Sequence, residues 1–159
     1  MRKTGEFRCS NEKVNQLQSN ISWSLRDNFF DIPSDCPQRD ERLGWMGDAQ
    51  VFSWTAAFNR ETALFFTKWM RDISAASSLE RGVPHIVPDI QGTYSSAAWS
   101  DAAVIIPWVV YQTYGDTRIL EQSWKCMHEW VDYIHNHVNE NGLWMTNYQS
   151  VSYTHLTLP

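Results

Sequence analysis

One segment of this sequence, Asp101 to Tyr114, has apolar side chains on nearly every side of a helix. Its apolar residues are Ala102, Ala103, Val104, Ile105, Ile106, Trp108, Val109 and Val110. A helix without a polar face has to be buried all round. Pro107 predicts either a kink in this helix or a late start, and Gly115 predicts its end.

Four further segments have apolar residues at helical spacing, on one side only. The first helix is expected to be capped by Ser10 and the second by Asp48, and the third is expected to run over Glu61–Ser77. The expected inward faces are Val14, Leu17, Ile21 and Leu25 on the first helix, Val51, Trp54, Thr55 and Phe58 on the second, Phe65, Trp69, Ile73 and Ala76 on the third, and Leu120, Trp124, Met127, Val131, Ile134 and Val138 on the fifth.

A buried helix among one-sided helices predicts an all-α fold with two concentric helical layers, as in an α/α barrel. A helical solenoid would repeat about every 34–47 residues, and the sequence has no such repeat. Five helices cannot close a double-layered barrel, so we expect an incomplete one. The long segment from Gly82 to Ser100 is expected to be an ordered, functional loop, because it is rich in apolar and aromatic residues.

Composition excludes several classes of function. The formal net charge is −5, so no basic face for nucleic acid is expected, and no apolar run is long enough for a membrane span. Cys9, Cys36 and Cys126 are far apart, and the histidines lack ligand spacing, so neither a metal nor another cofactor is predicted. The nine tryptophans predict either large packed helices or stacking on flat ligands such as sugars. Those within the helical patterns are assigned to packing: Trp54, Trp69, Trp108, Trp124 and Trp130.

The segment from Asp35 to Asp48 contains four carboxylates, two arginines and one tryptophan within fourteen residues. One interpretation is a solvated loop whose last acid caps a helix. The other is a site, because crowded carboxylates raise one another's pKa while guanidiniums lower it. Such a mixture can keep one acid protonated while others stay charged, as a glycosidase requires.

The residues themselves, Asp-Cys-Pro-Gln-Arg-Asp-Glu-Arg-Leu-Gly-Trp-Met-Gly-Asp at 35–48, resemble the signature of bacterial α-L-rhamnosidases of glycoside hydrolase family 78. The similarity covers about residues 5–148 and includes Arg71-Asp72-Ile73, Val87-Pro88-Asp89, Ala97–Ala102 and Tyr114-Gly115-Asp116. It implies an (α/α)6 barrel, of which only the opening portion is present, and an inverting hydrolysis of terminal α-L-rhamnose from rhamnosides or rhamnose-containing polysaccharides.

The resemblance also implies roles for particular residues. Glu41 matches the general acid, with Asp40 as the rival. The residues that match sugar contacts are Asp35, Arg39 and Asp48 for hydroxyl groups, and Trp45 and Trp99 for an aromatic wall. Asp101 is expected to be either a helix cap or a pocket residue, and Trp144 and His85 have weak signals for ligand contact.

The same comparison sets the expected boundaries. Residues 1–150 match the N-terminal part of the catalytic domain, whereas 151–159 depart from the pattern and are expected to be a non-native tail. No residue up to Pro159 matches the family's general base, so the chain alone is expected to be inactive. Two alternatives remain: a carbohydrate-binding protein without catalysis, and a six-hairpin glycosidase for another sugar. The sequence gives no indication of compartment.

Overall fold

A computed structural model describes residues 1–92 and 94–144 of the chain. The predicted tail at 151–159 lies outside the described residues. Within them the fold is all-α, as predicted, with five helices: α1 (Glu12–Asn28), α2 (Met46–Asn59), α3 (Ala63–Ala76), α4 (Ala102–Tyr114) and α5 (Arg118–His137). None of the described helices is long and apolar enough to cross a membrane.

Helix α4 is the centre of this arrangement. It packs against α2, α3 and α5, and α3 also contacts α5. Its buried residues include Ala102, Ala103, Ile106 and Val110, and it ends at Gly115 as predicted, where the backbone is left-handed with φ 69°. The helix begins before Pro107, so the alternative of a late start was wrong.

The prediction that α4 is buried on all sides was also wrong for this chain. Ile105 is 37% exposed and Trp108 is 48% exposed, because none of the elements in the described part of the chain covers this face. Two faces of α4 are therefore in the core, and a third, apolar face is open.

Two helix starts differ from the predictions. The cap of α1 is Asn11, not Ser10, and its side chain accepts hydrogen bonds from the backbone N–H groups of Lys13 and Val14. Helix α2 begins at Met46, so Asp48 lies within its first turn rather than at the cap. A carboxylate there is still favourable, since it faces the positive end of the helix dipole.

Helix α3 has Trp69 and Ile73 fully buried, as predicted, whereas Phe65 and Ala76 are half-buried. On α1, α2 and α5, many of the residues that were predicted to face inward are exposed. The exposed members are Val14 and Leu17 on α1, Val51, Trp54 and Phe58 on α2, and Trp124 and Val131 on α5.

The reason differs between these helices. Helix α2 buries small residues, among them Ala49, Ser53 and Ala56, which allow close packing on its neighbours. Helix α5 buries Ile119, Ser123, Cys126 and Trp130, a face next to the predicted stripe. Of the tryptophans assigned to packing, Trp69 and Trp130 are buried, but Trp54, Trp108 and Trp124 are 40%, 48% and 63% exposed.

The described residues of the loop between α3 and α4 contribute buried side chains to the core. Val83, Ile86, Val87 and Trp99 are buried, and the indole N–H of Trp69 donates to the Val87 carbonyl at 3.2 Å. This loop forms the support on which the segment before α2 is built.

Candidate active site

The segment before α2 is fixed by backbone hydrogen bonds to the loop at 85–87. The N–H of Met46 donates to the His85 carbonyl at 2.8 Å, and the N–H of Val87 donates to the Gly44 carbonyl at 2.9 Å. A Cβ atom at Gly44 would lie 2.1 Å from the Val87 carbonyl oxygen. Only glycine allows this approach, so residue 44 sets the position of the neighbouring Trp45.

A second pair of hydrogen bonds closes the loop itself. The N–H of Asp35 donates to the Leu43 carbonyl, and the N–H of Leu43 donates to Oδ1 of Asp35, each at 2.9 Å. Within the loop, Nε of Arg42 donates to the Pro37 carbonyl at 3.1 Å. The residues between 35 and 43 are thereby held as one compact turn, which brings Glu41 back towards Asp35.

Glu41 is at the centre of the site. Its Oε2 accepts hydrogen bonds from Nε of Arg39 at 3.0 Å and from Nη2 at 2.7 Å. Its Oε1 accepts one from the indole Nε1 of Trp45 at 3.1 Å. The Glu41 side chain is 30% exposed. The indole of Trp45, predicted as an aromatic wall, thus also orients the carboxylate.

The carboxyl groups of Asp35 and Glu41 interact directly, and their pKa values move apart. Burial, followed by the hydrogen bond to Glu41, raises the pKa of Asp35. Hydrogen bonds from Asp35, Arg39 and Trp45, in that order of size, lower the pKa of Glu41. Of the two carboxyl groups, Asp35 therefore binds a proton more tightly, and Glu41 is the one whose charged form is favoured, by Asp35, Arg39 and Trp45.

Asp40, the rival acid, is exposed and makes no hydrogen bond or ion pair with any residue that the structure describes. Asp48 and Asp35 line one cleft of about 490 Å³ between the end of α1 and the start of α2. Glu41, Arg39 and Trp45 form the adjoining hydrogen-bonded group. Five of the predicted site residues are thus placed in two adjacent groups that meet at Asp35.

Trp99 lies behind this cleft rather than in it. It is 7% exposed, and a Cβ atom at Gly47 would lie 2.9 Å from its Cδ1. The indole therefore supports the first turn of α2, which includes Asp48. His85, for which ligand contact was considered, is buried beside Trp99 with ring centroids 5.8 Å apart, and burial lowers its pKa.

Asp101 occupies the N-cap position of α4, as one of the two predictions had it, but its side chain makes no capping hydrogen bond and does not line the cleft. Its Oδ2 accepts from the backbone N–H of Ala98 at 2.8 Å, and its Oδ1 accepts from Nε1 of Trp130 at 3.0 Å. Ala98 has a positive φ of 71°, and its carbonyl accepts a hydrogen bond from Gln50. Asp101 thus holds the turn that places Trp99, a supporting role that the sequence did not separate from the other two.

The donor atoms of Asp35, Cys36 and Glu41 lie within 4.8 Å of one another, close enough in principle for a metal ion. The chemistry is unfavourable, however. Burial raises the pKa of the Cys36 thiol, whereas a metal needs the thiolate, and Arg39 already neutralises Glu41. Neither a metal nor an organic cofactor is assigned to these residues.

Two carboxyl groups whose surroundings move their pKa values apart are a feature of glycosidase active sites. Residues 2–156 match the family model described as the bacterial alpha-L-rhamnosidase 6 hairpin glycosidase domain. The chain belongs to this family, which confirms the resemblance read from the sequence.

Individual relatives agree. An alpha-L-rhamnosidase of Formosa agariphila is 46% identical over 156 residues, which cover 92% of this chain and 17% of the relative. The structure of an alpha-L-rhamnosidase from Dictyoglumus thermophilum has a TM-score of 0.85 at 38% identity over 87% of this chain and 16% of its own. That of Streptomyces avermitilis alpha-L-rhamnosidase complexed with L-rhamnose has a TM-score of 0.84 at 40% identity, over 86% and 13%. The chain spans 13–17% of the length of the curated relatives it matches.

Proposed function

We propose that this chain supplies the acid side of an α-L-rhamnosidase active site, with Glu41 as the general acid of an inverting hydrolysis. One observation carries the proposal. The Glu41 carboxylate accepts hydrogen bonds from Arg39 and Trp45 and interacts with Asp35, in a chain that belongs to the rhamnosidase family.

The other predicted residues have geometry compatible with sugar binding. Asp35 and Asp48 line the cleft, and charge-assisted hydrogen bonds from such groups to hydroxyls are each worth about 1.5–3 kcal/mol. Arg39 is exposed enough to contact a sugar hydroxyl. The face of Trp45 is the proposed apolar wall for the rhamnose methyl group. Trp99, predicted for the same wall, lies behind the cleft and supports the wall indirectly, by packing against Gly47.

The charge state of Glu41 has a mechanistic consequence. A general acid has to hold a proton at the working pH, but Arg39 and Trp45 stabilise the anion. We infer that a bound sugar draws Arg39 away from Glu41 through its hydroxyl groups. The loss of this cation raises the pKa of Glu41, so that its carboxyl can take up the proton that it has to donate.

Asp35 is not the general base in this scheme. An inverting pair is about 6.5–9.5 Å apart, to leave room for a water molecule, whereas the Asp35 and Glu41 oxygens lie within 4.8 Å. The matched residues of this chain provide no other base. Hydrolysis therefore requires a carboxylate from elsewhere in a longer polypeptide, and we expect the chain alone to be inactive.

The test uses a longer polypeptide that contains this sequence together with the rest of the family domain, and a natural rhamnoside with a poor leaving group. We expect Glu41→Gln to reduce turnover about 10²–10⁴-fold. Asp40→Asn is the matched control and should stay within about threefold. Full activity of the Glu41→Gln variant would refute the assignment, and a large loss in Asp40→Asn alone would transfer it to Asp40.

Stereochemistry gives a second, independent test. Proton NMR of the first sugar released shows whether the anomeric configuration is inverted. A retained configuration would contradict the inverting mechanism. It would instead indicate a retaining enzyme, in which the two catalytic carboxyl groups are only about 5–5.5 Å apart.

The two alternatives lead to different results in the same assays. Rhamnose-dependent quenching of tryptophan fluorescence without turnover would establish a binding protein. Turnover of another sugar in a panel of aryl glycosides would instead show a six-hairpin glycosidase of different specificity.

A further inference from the structure

A groove of about 650 Å³ lies along α1, away from the candidate active site. Its other walls are the N-terminal segment and the residue after α2, Arg60. Backbone hydrogen bonds fix these walls: the N–H of Thr4 donates to the Asn59 carbonyl at 3.1 Å, and the N–H of Glu61 donates to the Arg2 carbonyl at 2.8 Å. The candidate active site lies at the start of α2 and this groove at its end. Since α2 has fourteen residues, the two sites are about 20 Å apart.

The lining of this groove is basic, although the chain has a net charge of −5. Lys3, Arg8, Arg26 and Arg60 contribute cations, and the carboxylate of Glu6 already pairs with Lys3 at 2.7 Å. In the part of the chain that the structure describes, the three arginines have no carboxylate within ion-pair distance. An anionic ligand would relieve the repulsion between them.

Arg60 provides the most specific indication of a ligand. Its Nε atom is buried and has no hydrogen-bond acceptor among the described residues. A buried donor without a partner is unfavourable and requires an explanation, and an ion at the site is one such explanation.

The rest of the lining is suited to a sugar ring rather than to a bare ion. Trp23 is 54% exposed, and the Arg26 guanidinium lies 4.5 Å from the centre of its ring. Ser19 and Ser22 also line the groove, and their hydroxyls make no hydrogen bond within the described ranges. Aromatic surface, free hydroxyls and arginines together match a saccharide with a negative charge.

We propose that this groove binds an acidic saccharide, with its carboxylate or sulfate held by Arg8, Arg26 and Arg60 and its ring against Trp23. The proposal goes beyond the hydrolysis described above and does not depend on it, because binding here requires neither Glu41 nor a general base.

Calorimetry of the 159-residue chain with a tetragalacturonate and with a sulfated tetrasaccharide tests the proposal. We expect saturable binding to at least one of the two, weakened at least tenfold between 50 mM and 500 mM salt. Arg8→Gln and Arg26→Gln should each weaken binding at least fivefold, and Arg60→Gln at least tenfold. Arg71→Gln, on exposed α3 surface outside the groove, is the matched control and should stay within twofold.

Trp23→Phe identifies the reporting indole. The ligand should change tryptophan fluorescence in the original chain but not in this variant, and circular dichroism verifies that each variant is folded. Arg8 is exposed, so its substitution tests binding even where Arg60→Gln unfolds the chain.

Four results would overturn the proposal: no binding of either acidic oligosaccharide, equal binding of a neutral rhamno-oligosaccharide, binding of inorganic sulfate as tight as that of the saccharides, or tighter binding of a single-stranded oligonucleotide. Loss of hydrolysis in a Glu41→Gln polypeptide that still binds the acidic saccharide would leave this proposal intact, so the two proposals fail independently.

Discussion

At the residue scale, Arg39 controls the charge of Glu41. Its guanidinium makes both a hydrogen bond through Nε and an ion pair through Nη2, and after the interaction with Asp35 this contact is the largest cause of the lowered pKa of Glu41. Arg42, three positions further on, instead donates to the Pro37 carbonyl. The loop therefore offers a matched pair of arginines, of which only one contacts the carboxylate.

We predict that Arg39→Gln raises the pKa of Glu41, because the carboxylate loses its cation. Arg42→Gln should leave that pKa unchanged. Carbon-13 NMR titration of glutamate side-chain carboxyls measures both values in the same chain. An unchanged pKa in Arg39→Gln would show that Asp35 and Trp45 alone set the charge of Glu41.

Asp35 leads to a prediction about stability and pH. Its pKa is raised in the folded chain, so the folded state binds the proton more tightly than the unfolded state does. The resulting stabilisation is present below the unfolded pKa and is lost as the pH rises through the raised, folded value.

Asparagine at position 35 keeps an acceptor for Leu43 but cannot ionise. We therefore expect Asp35→Asn to increase the free energy of unfolding at pH 7 relative to the original chain, with a smaller gain at pH 4. Urea unfolding at the two pH values measures this difference. A gain that is larger at pH 4 would contradict the raised pKa of Asp35.

At the scale of elements, the contact of the 85–87 loop with the segment before α2 depends on the small size of Gly44. Gly44→Ala places a methyl group against the Val87 carbonyl oxygen, so the two segments must separate. We expect a loss of about 3 kcal/mol in the free energy of unfolding, the upper part of the range for overpacking. Chemical denaturation measures it.

Gly92→Ala is the comparison for Gly44→Ala. Nothing lies within 4 Å of its Cβ position, although its φ is +65°, so it should cost only about 1–2 kcal/mol from backbone strain. Equal losses for the two variants would show that the contact with Val87 can relax.

The exposure of Trp124 allows a direct test of which face of α5 points to solvent, with the buried Trp69 as the comparison. Trp124 is 63% exposed, whereas Trp69 on α3 is fully buried. We expect Trp124→Phe to remove a large share of the fluorescence that acrylamide can quench, and Trp69→Phe to leave that share nearly unchanged. The opposite result would mean that the predicted stripe on α5 faces inward after all.

Periodicity predicted all five helices because each has apolar residues at helical steps, but it did not identify the buried faces of α2 and α5. On α2 the buried residues Ala49, Ser53 and Ala56 have low hydrophobicity and a size suited to close packing. Their neighbours Val51 and Phe58 are more apolar and nevertheless exposed. A hydrophobic stripe therefore predicts a helix, but the fit to the neighbouring helices determines which face of it is buried.

The candidate site shows a similar division. The motif at 35–48 predicted the positions that come together, and crowding predicted that one carboxyl would hold a proton while others stay charged. Which of the two carboxyl groups has the raised pKa depends on the burial of Asp35 and on the hydrogen bonds to Glu41 from Asp35, Arg39 and Trp45, all of which the fold of the loop sets. The sequence leaves the role of Asp101 open for the same reason, because its contact with Trp130 joins residues 29 positions apart.

At the scale of the whole molecule, the chain is a small part of the length of its relatives, and it has apolar surface on α2, α4 and α5. We predict no measurable turnover of a natural rhamnoside by the chain alone, because hydrolysis by inversion requires a second carboxylate. Product analysis by chromatography measures it, with the longer polypeptide as the positive control. Substantial turnover by the chain alone would show that it contains its own base.

The link between Gly44 and the 85–87 loop consists of main-chain atoms, and this affects how the site could be redesigned. The side chains of His85 and Val87 take no part in those two hydrogen bonds, so they can be exchanged for others of similar bulk without disturbing the link. A library that varies position 48, a proposed sugar contact, could therefore keep aspartate at 35, which closes the loop, and glycine at 44, and still vary 85 and 87.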